Sequence, residues 1–442
     1  MKILLATSSA RGHALAEALA RSSHKPEIIH CCPSRNPGIR KIAKEQHVLD
    51  IMNFDAILEL AKKTKPDFAV IGPDDPIGGG LADALETIGI KSFAPKKSCA
   101  RIESSKGFAR ELMEKHGIDA SPKFRVFTGA DRAAIETYIR KDLGEQYVVK
   151  YDGLRGGKGV KVSGAHLATV EEGVAYALEC VTEGGRVVIE EKLIGVEFSL
   201  LSFVSGLSTA DMPPVQDHKP AYEGDTGPNT GGMGTYTDAD HSLPFLDPKD
   251  LKAASEINKR VAAALQKECG TPFTGILYGG FIAVRDGIRV IEYNARFGDP
   301  EALNLLPLLE TDFVDVCRAV IDGTLADLDV RFAKNATVCK YIVPKSYPEA
   351  KTEKGQTVTF PSPLPADARL YFGDIAEKDD GTLTLGGSRT AGIVGIGKTI
   401  AEAEAIAQTL CEQVQGPVRY RKDVGTAELI QKRITAMKAL RG

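Results

Sequence analysis

The stretch Ile291-Glu292-Tyr293-Asn294-Ala295-Arg296-Phe297-Gly298-Asp299-Pro300-Glu301 sets the terms for the whole chain, because it gathers acids, an amide and an arginine behind an apolar run. That run, Gly280-Phe281-Ile282-Ala283-Val284-Arg285-Asp286-Gly287-Ile288-Arg289-Val290-Ile291, reads as a β-hairpin with Asp286-Gly287 as its positive-φ turn dipeptide. Side chains alternate along a strand, so Glu292 and Asn294 share a face. A carboxylate and a carboxamide side by side suit a hard divalent cation shared with phosphate oxygens. Arg296 adds a planar fork for a carboxylate or phosphate, and 297–300 reads as a turn. A half-exposed strand ending in a polar turn would carry the same residues, so the surrounding chain decides between the two.

The chain has 442 residues, enough for two to four domains with ample core. Hydrophobic residues make up 43% and charged residues 26%, the ordinary range for a soluble protein. A net charge of −3 argues against a nucleic-acid partner. With neither a long apolar run nor a leader pattern, the expectation is a cytoplasmic protein without membrane contact. Eight cysteines lie scattered without C-x-x-C spacing and read as structural thiols, Cys31-Cys32 as a buried strand end.

Residues 1–97 alternate short apolar strands (3–6, 28–31, 68–71, 91–94) with helical patterns at 14–20 and 56–61, which implies a parallel sheet covered on both faces. Ligands gather at the carboxyl ends of such strands, where two loops are expected, 7–13 and 72–80. The first precedes a helix and offers free N–H groups to an anion, but is not a G-x-G-x-x-G. A helix is expected over 104–116. Next comes Tyr147-Val148-Val149-Lys150-Tyr151-Asp152-Gly153-Leu154-Arg155-Gly156-Gly157-Lys158-Gly159-Val160-Lys161-Val162, two β-rich runs around a glycine-rich loop. It is either a phosphate-approaching loop with Lys158 as a point charge or a plain hairpin turn; Walker spacing is absent. The run 187–199, ending a strand in Glu190-Glu191, fits an adenine-binding hinge or a solvated strand face.

The polar stretch through Gln216-Asp217-His218-Lys219 and Asp225-Thr226-Gly227-Pro228-Asn229-Thr230-Gly231-Gly232-Met233-Gly234 reads as a loop shaped to approach a ligand. Helices are expected at 303–309 and 312–321. A third unit from about 332 holds a strand at 337–343, Gly386-Gly387-Ser388-Arg389, a helix at 399–413, a basic run at 419–422 taken as a solvated face, and a final amphipathic helix.

The glycine-rich loop, acidic hinge and Glu-x-Asn strand, in this order, resemble the ATP-grasp enzymes. The motifs at 216–219, 225–234 and 294–301, with Gly72-Pro73 early and Arg421-Lys422-Asp423-Val424-Gly425 late, are similar to the phosphoribosylamine–glycine ligases. The resemblance implies a multidomain α/β and α+β fold: a Rossmann-like parallel-sheet domain over 1–103, an ATP-grasp core over 104–330 with a small lid subdomain at about 121–194, and a mixed α/β C-terminal domain over 331–442. It implies ATP and Mg²⁺ or Mn²⁺ as cofactors, glycine and 5-phosphoribosylamine as substrates, and a monomer or weak homo-oligomer. Glu292 and Asn294 would hold the metal. Lys106, Lys150 and Lys158 would meet the phosphates, with Gly153, Gly156, Gly157 and Gly159 in a lid over them. Glu190, Lys192, Leu193 and Glu197 would hold adenine and ribose. Arg296 and Lys158 would be catalytic. Substrate would meet Gly12, His13, Gly72, Asp74, Asp217, Lys219, Asp225, Asn229, Thr230, Gly231, Gly232, Met233, Arg296 and Asp299.

Three places depart from the family pattern. Ser9-Ala10-Arg11-Gly12-His13 stands where Gly-Gly-Arg-Glu-His is usual, Arg155-Gly156 where Ala-Ala is usual, and Pro220-Ala221-Tyr222-Glu223 where Arg-Val-Gly-Asp is usual. An ATP-grasp ligase for another amine or carboxylate is therefore the rival enzyme reading. A silent ATP-binding module is the non-enzymatic one, opposed by the joint presence of Lys158, Glu292, Asn294 and Arg296.

Overall fold

The computed structural model describes residues 1–155 and 159–442. The N-terminal region is a five-stranded parallel sheet whose order across the sheet is Glu45–Val48, Glu27–Cys32, Lys2–Ala6, Phe68–Ile71, Ser92–Phe93. Along Lys2–Ala6, Leu4 and Ala6 enter one core while Ile3 and Leu5 enter another, so both faces are covered, as continuous apolar strands require. The edge strand Glu45–Val48 escapes the sequence pattern because its polar residues carry no apolar period.

Both expected loops at the sheet's carboxyl edge are largely helical. Helix Ser9–Ala20 starts at once, entered through Ser9 at φ 68°. Helix Asp74–Gly79 occupies the second, with Asp74 and Asp75 in its first turn, where acids and an early proline are tolerated. The helix expected over 104–116 runs Lys106–Lys115, and a further helix, Lys97–Ser104, precedes it. They break at extended Ser105, whose Oγ accepts from Phe108 N at 3.0 Å. The break puts Glu103 and Lys106 on different helices.

A small antiparallel sheet, ordered Phe124–Phe127, Val187–Glu191, Tyr147–Tyr151, Val160–Val162, packs its apolar face against helices Arg132–Thr137 and Val170–Gly184. A second one, ordered Ser208–Asp211, Val196–Ser205, Thr274–Val284, Gly287–Asn294, carries the opening motif. Its hairpin turns on Arg285 and Asp286, one residue earlier than expected, with Gly287 at φ 136° already paired to Val284. Gly280 opposes Glu292 while Phe281 opposes Val290, so Ile291 is the extra residue of a bulge. Beyond it Tyr293 is buried while Glu292 and Asn294 both stay partly accessible, which is the alternation expected of them.

The C-terminal sheet is ordered Gln216–Asp217, Gly234–Thr237, Ala336–Pro344, Ala391–Gly397, Ala368–Phe372. Two of its strands come from the stretch expected to be a ligand-approaching loop. Another pair in that stretch, Pro220–Tyr222 with Thr226–Asn229, forms a separate two-stranded ribbon. The basic run at 419–422 is not a solvated face: Arg421 is 0% exposed. Its guanidinium donates to Asp423 Oδ1 and Oδ2 (2.9 and 2.6 Å), Asp225 Oδ1 (3.1 Å) and the Pro220 carbonyl (3.2 Å). All eight cysteines are free thiols, seven of them buried. Among the described residues no helix is long and apolar enough to cross a membrane.

Burial also governs the histidines. His13 is lowered to about 3 by burial and then by Lys41, while burial lowers His30 and His218 to about 4. The unfolded chain protonates these rings near pH 6.5 and the folded chain does not, so stability is full above 6.5 and falls as pH drops below it. Each ring contributes about 1.4 kcal/mol per pH unit between 6.5 and its folded value. The thermal midpoint should fall steadily from pH 7 to 5, and His13→Phe should flatten that fall by one histidine's share.

Candidate active site

The hairpin, the strand Val196–Ser205 and the segment 217–219 line one cleft, with Glu197, Ser199, Asp217, Lys219, Tyr278 and Glu292 around it. Lys219 Nζ stands 3.4 Å from Glu292 Oε1, and 35% and 30% of the two side chains remain accessible, so the pair faces open space. The Lys219 ammonium, against burial and aided by Lys106, Lys150 and Arg296, lowers Glu292 to about 2. Lys219 is raised in turn, chiefly by Glu292. Glu292 is therefore an anion at any physiological pH. Asn294 Oδ1 lies on the same face, accepting from Arg296 Nη2 at 3.2 Å. A permanent carboxylate and an amide oxygen fit Mg²⁺ or Mn²⁺, which take oxygen ligands and leave remaining positions to water and phosphate.

Arg296 is fixed from behind. Its Nη2 meets Glu103 Oε1 at 2.8 Å, and Glu103 Oε2 accepts from Ala295 N at 2.8 Å. Burial opposes the Arg296 charge, but Glu103 and Asp74 raise its pKa further. Burial would likewise raise Asp74, yet Arg296 and Arg11 hold it below the usual carboxylate range. Arg296 Nε is buried without a partner among the described residues, as is Arg11 Nε. Arg11 donates through Nη1 to the Phe297 carbonyl at 2.8 Å.

On the neighbouring wall, Glu190 is buried between Arg110 (Nε–Oε1 2.6 Å) and Lys150 (Nζ–Oε2 2.7 Å). Arg110 Nη2 and Lys150 Nζ also donate to the Ile291 carbonyl at 2.8 and 2.9 Å. The bulge frees that carbonyl. Lys106 Nζ donates to the Gly153 carbonyl at 3.0 Å, and Asp152 next to it accepts from Gly107 N at 3.1 Å, which ties the root of the glycine-rich loop to a helix start. Lys192 Nζ is turned to the Ser163 carbonyl at 2.8 Å, Leu193 is half-buried and Glu197 exposed. Gly156, Gly157 and Lys158 lie outside the described residues.

Several expected ligand-binding residues are consumed by packing. His13 is buried between Gly38, Tyr371 and Phe372, its Nδ1 accepting from Phe372 N at 2.9 Å. Gly12 abuts Thr7 within the helix, and Gly72 abuts the same side chain. Asp299 accepts from Ser9 Oγ (2.7 Å), Arg11 N (3.2 Å) and Tyr341 OH (2.6 Å), and faces Arg389 at 3.5 Å. Asp225 is taken by Arg421 and Arg433. Met233 is core, Thr230 and the Glu190 carboxylate are buried, and Gly232, at φ 114°, abuts Asp217 and Pro300. Asn229 and Gly231 stay exposed. Asp217 is raised by burial and then by Glu301.

Sequence reasoning missed Glu103, Arg110, Arg389 and Tyr278. Arg110 had a signal: it is a charged residue among the apolar positions Phe108, Ala109, Leu112 and Met113 of its helix. Arg389 had none. Its Nη1 donates to the carbonyls of Gly231, Gly232 and Asp299 at 2.9, 2.9 and 2.8 Å, all distant in sequence.

An antiparallel sheet carrying Glu292 and Asn294, set against a smaller sheet with a lysine and a glycine-rich hairpin, is the ATP-grasp arrangement. The biotin carboxylase domain of Hydrogenobacter thermophilus 2-oxoglutarate carboxylase shares this fold at a TM-score of 0.73 and 15% identity, covering 99% of this chain and 93% of that one. The more specific matches all agree. The phosphoribosylglycinamide synthetase N domain matches residues 1–103, the ATP-grasp (A) domain 104–302 and the C domain 337–427. Phosphoribosylamine–glycine ligases of Methanosarcina barkeri and Methanocella arvoryzae are 48% and 44% identical over the full length of both chains. The crystal structure of the Thermotoga maritima phosphoribosylamine–glycine ligase aligns at a TM-score of 0.79 and 30% identity, covering 96% of this chain and 100% of that one. The chain belongs to the phosphoribosylglycinamide synthetase family.

Glu103→Ala leaves the Arg296 guanidinium buried without its counter-ion and should cost about 3–5 kcal/mol of stability. A thermal midpoint shift comparable to that of an exposed-site control would contradict the buried-pair account.

Proposed function

We propose that the chain joins glycine to 5-phosphoribosylamine with ATP, giving glycinamide ribonucleotide, ADP and phosphate in de novo purine biosynthesis. Membership of the family supports this, and the Lys219–Glu292 pair facing an open cleft beside Arg296 is the observation that carries it.

A carboxylate is a poor acylating agent. A glycine carboxylate oxygen takes the γ-phosphoryl group, ADP leaves, and the amine nitrogen then attacks the acyl carbon. The bond from that carbon to the phosphate oxygen breaks, phosphate departs, and the nitrogen loses a proton. The protein's task is positioning and charge neutralisation. Glu292 and Asn294 hold Mg²⁺ or Mn²⁺, which neutralises developing charge on the phosphoryl oxygens. Lys106 and Lys150 flank the phosphate path, and Gly153 and Gly159 root the glycine-rich loop. Lys158, Gly156 and Gly157 complete it as a water-excluding lid, since an acyl phosphate hydrolyses readily.

Adenine lies along the backbone of Lys192 and Leu193 at the end of the Glu190 strand, and Glu197 takes the ribose hydroxyls. The Glu190 carboxylate serves by holding Arg110 and Lys150 in place. Arg296 and Lys219 orient the glycyl phosphate, with Asp217 beside them. Gly72, Asp74, Asn229, Thr230, Gly231 and Gly232 face the amine substrate. Gly12, His13, Asp225, Met233 and Asp299 support the site without touching ligand. The same reading carries domains over 1–103, 104–330 and 331–442, a lid at about 121–194, a cytoplasmic location and a monomer or weak homo-oligomer.

ADP release by the purified protein with Mg²⁺–ATP should require glycine and phosphoribosylamine together, the latter generated from ribose 5-phosphate and ammonia. Glu292→Ala should lower it by at least about 10²-fold while the chain stays folded, as circular dichroism would show. Full turnover without glycine, or in Glu292→Ala, would refute the assignment.

A further inference from the structure

Among the described residues, the ribbon of Pro220–Tyr222 and Thr226–Asn229 joins no larger sheet. Among the described residues, its hydrogen bonds to the rest of the chain beyond Lys219 run to the C-terminal region. Arg421 donates to the Pro220 carbonyl and Asp225, and Arg433 closes the other Asp225 oxygen. Arg419 Nη1 donates to the Ala221 carbonyl at 2.7 Å while its guanidinium lies over the Tyr222 ring at 4.5 Å. Tyr222 OH donates to Glu349, and Gly224 N to Asp423 Oδ2 at 2.9 Å. Arg421 is itself immobilised: the adjoining Lys422 carbonyl accepts from Lys340 Nζ, fully buried and also bound to Glu404 and Gln408.

At the ribbon's root the chain enters through Lys219 and leaves through Thr230. Thr230 N and Oγ1 both donate to the Lys219 carbonyl at 2.8 Å. Wherever the ribbon stands, the Lys219 backbone stands with it, and the Lys219 ammonium is the cation beside Glu292. Arg419 and Arg421 grip the ribbon at Pro220 and Ala221, next to Lys219, and Arg421 and Arg433 hold its turn at Asp225, so the ribbon is fixed along its length and its root lies in the active site.

We propose that Arg419 and Arg421 are positioning residues of the ligation: from the C-terminal region they hold the 220–229 ribbon, and through it set Lys219 against Glu292. The proposal rests on the active-site reading given above. Misplacing a reacting group by an ångström costs about 10²-fold in rate, so loosening the ribbon should act on turnover before it acts on folding.

Arg419→Ala removes the Ala221 carbonyl contact and the Tyr222 stacking, together with bonds to the Lys345 and Tyr347 carbonyls, while leaving buried Arg421 in place. It should lower kcat for glycine- and phosphoribosylamine-dependent ADP release about 10- to 100-fold, with the Kd for Mg²⁺–ADP and the thermal midpoint unchanged. Arg421→Met, an apolar replacement in the buried position, should lower kcat at least as much and also lower the thermal midpoint, because Asp225 and Asp423 lose a buried counter-ion. In a Lys219→Ala background, whose residual turnover is read at high enzyme concentration, Arg419→Ala should cause no further loss, because its effect runs through Lys219. Parental kcat in both arginine variants would overturn the proposal. So would losses that multiply in the Lys219→Ala background, which would leave the arginines a structural role only. Turnover surviving Glu292→Ala would instead remove the active-site reading on which the proposal stands.

Discussion

Two cations closed around one buried carboxylate hold the site together. Glu190, from the smaller antiparallel sheet, is met by Arg110 from a helix and Lys150 from the adjacent strand, and both cations continue to the Ile291 carbonyl on the metal-facing hairpin. Three elements far apart in sequence therefore share one electrostatic knot. Removing the acid would strand two charges in low dielectric, whereas removing the bulge would withdraw the carbonyl that accepts their remaining protons. The knot also carries one more positive than negative charge. Its surplus lies beside the face from which Glu292 and Asn294 look out, where a polyphosphate would bring the missing negative charge. Fold and ligand thus satisfy the same imbalance.

A second, similar arrangement fixes the opposite side. Arg296 is held by Glu103 across a helix break, and Asp299 gathers Ser9, Arg11, Tyr341 and Arg389 from the two ends of the chain. Carbonyl groups are the common currency of these contacts. Arg11, Arg110, Arg389, Arg419 and Arg421 each donate to main-chain oxygens far away in sequence, which ties separate segments together. A planar guanidinium suits this because its several donors are fixed in one fork.

Much of the site was legible because it is local. The alternation that puts Glu292 and Asn294 on one face follows from strand geometry, and the parallel sheet follows from continuous apolar runs. What misled the reading was polarity in glycine-rich segments. His13, Asp225 and Asp299 look like ligand contacts in sequence, yet their partners, Phe372, Arg421 and Tyr341, lie 359, 196 and 42 residues away. Arg421 looked solvated because Asp423, two residues on, accounts for only part of its compensation, and Asp225 lies 196 residues away. The strand Glu45–Val48 hid differently, since an edge strand needs hydrogen bonds rather than an apolar face.

The sheet shared between the middle and the end of the chain has a consequence for how the protein is made. Gly234–Thr237 pairs with Ala336–Pro344, which leaves the ribosome about a hundred residues later, a delay of several seconds at usual elongation rates. Until then a four-residue, wholly buried strand has no partner on that side and offers an open edge to any other chain. The last hydrogen bonds of this strand therefore wait for the C-terminal third. A nascent chain stalled between these two strands is the species that holdase chaperones would meet.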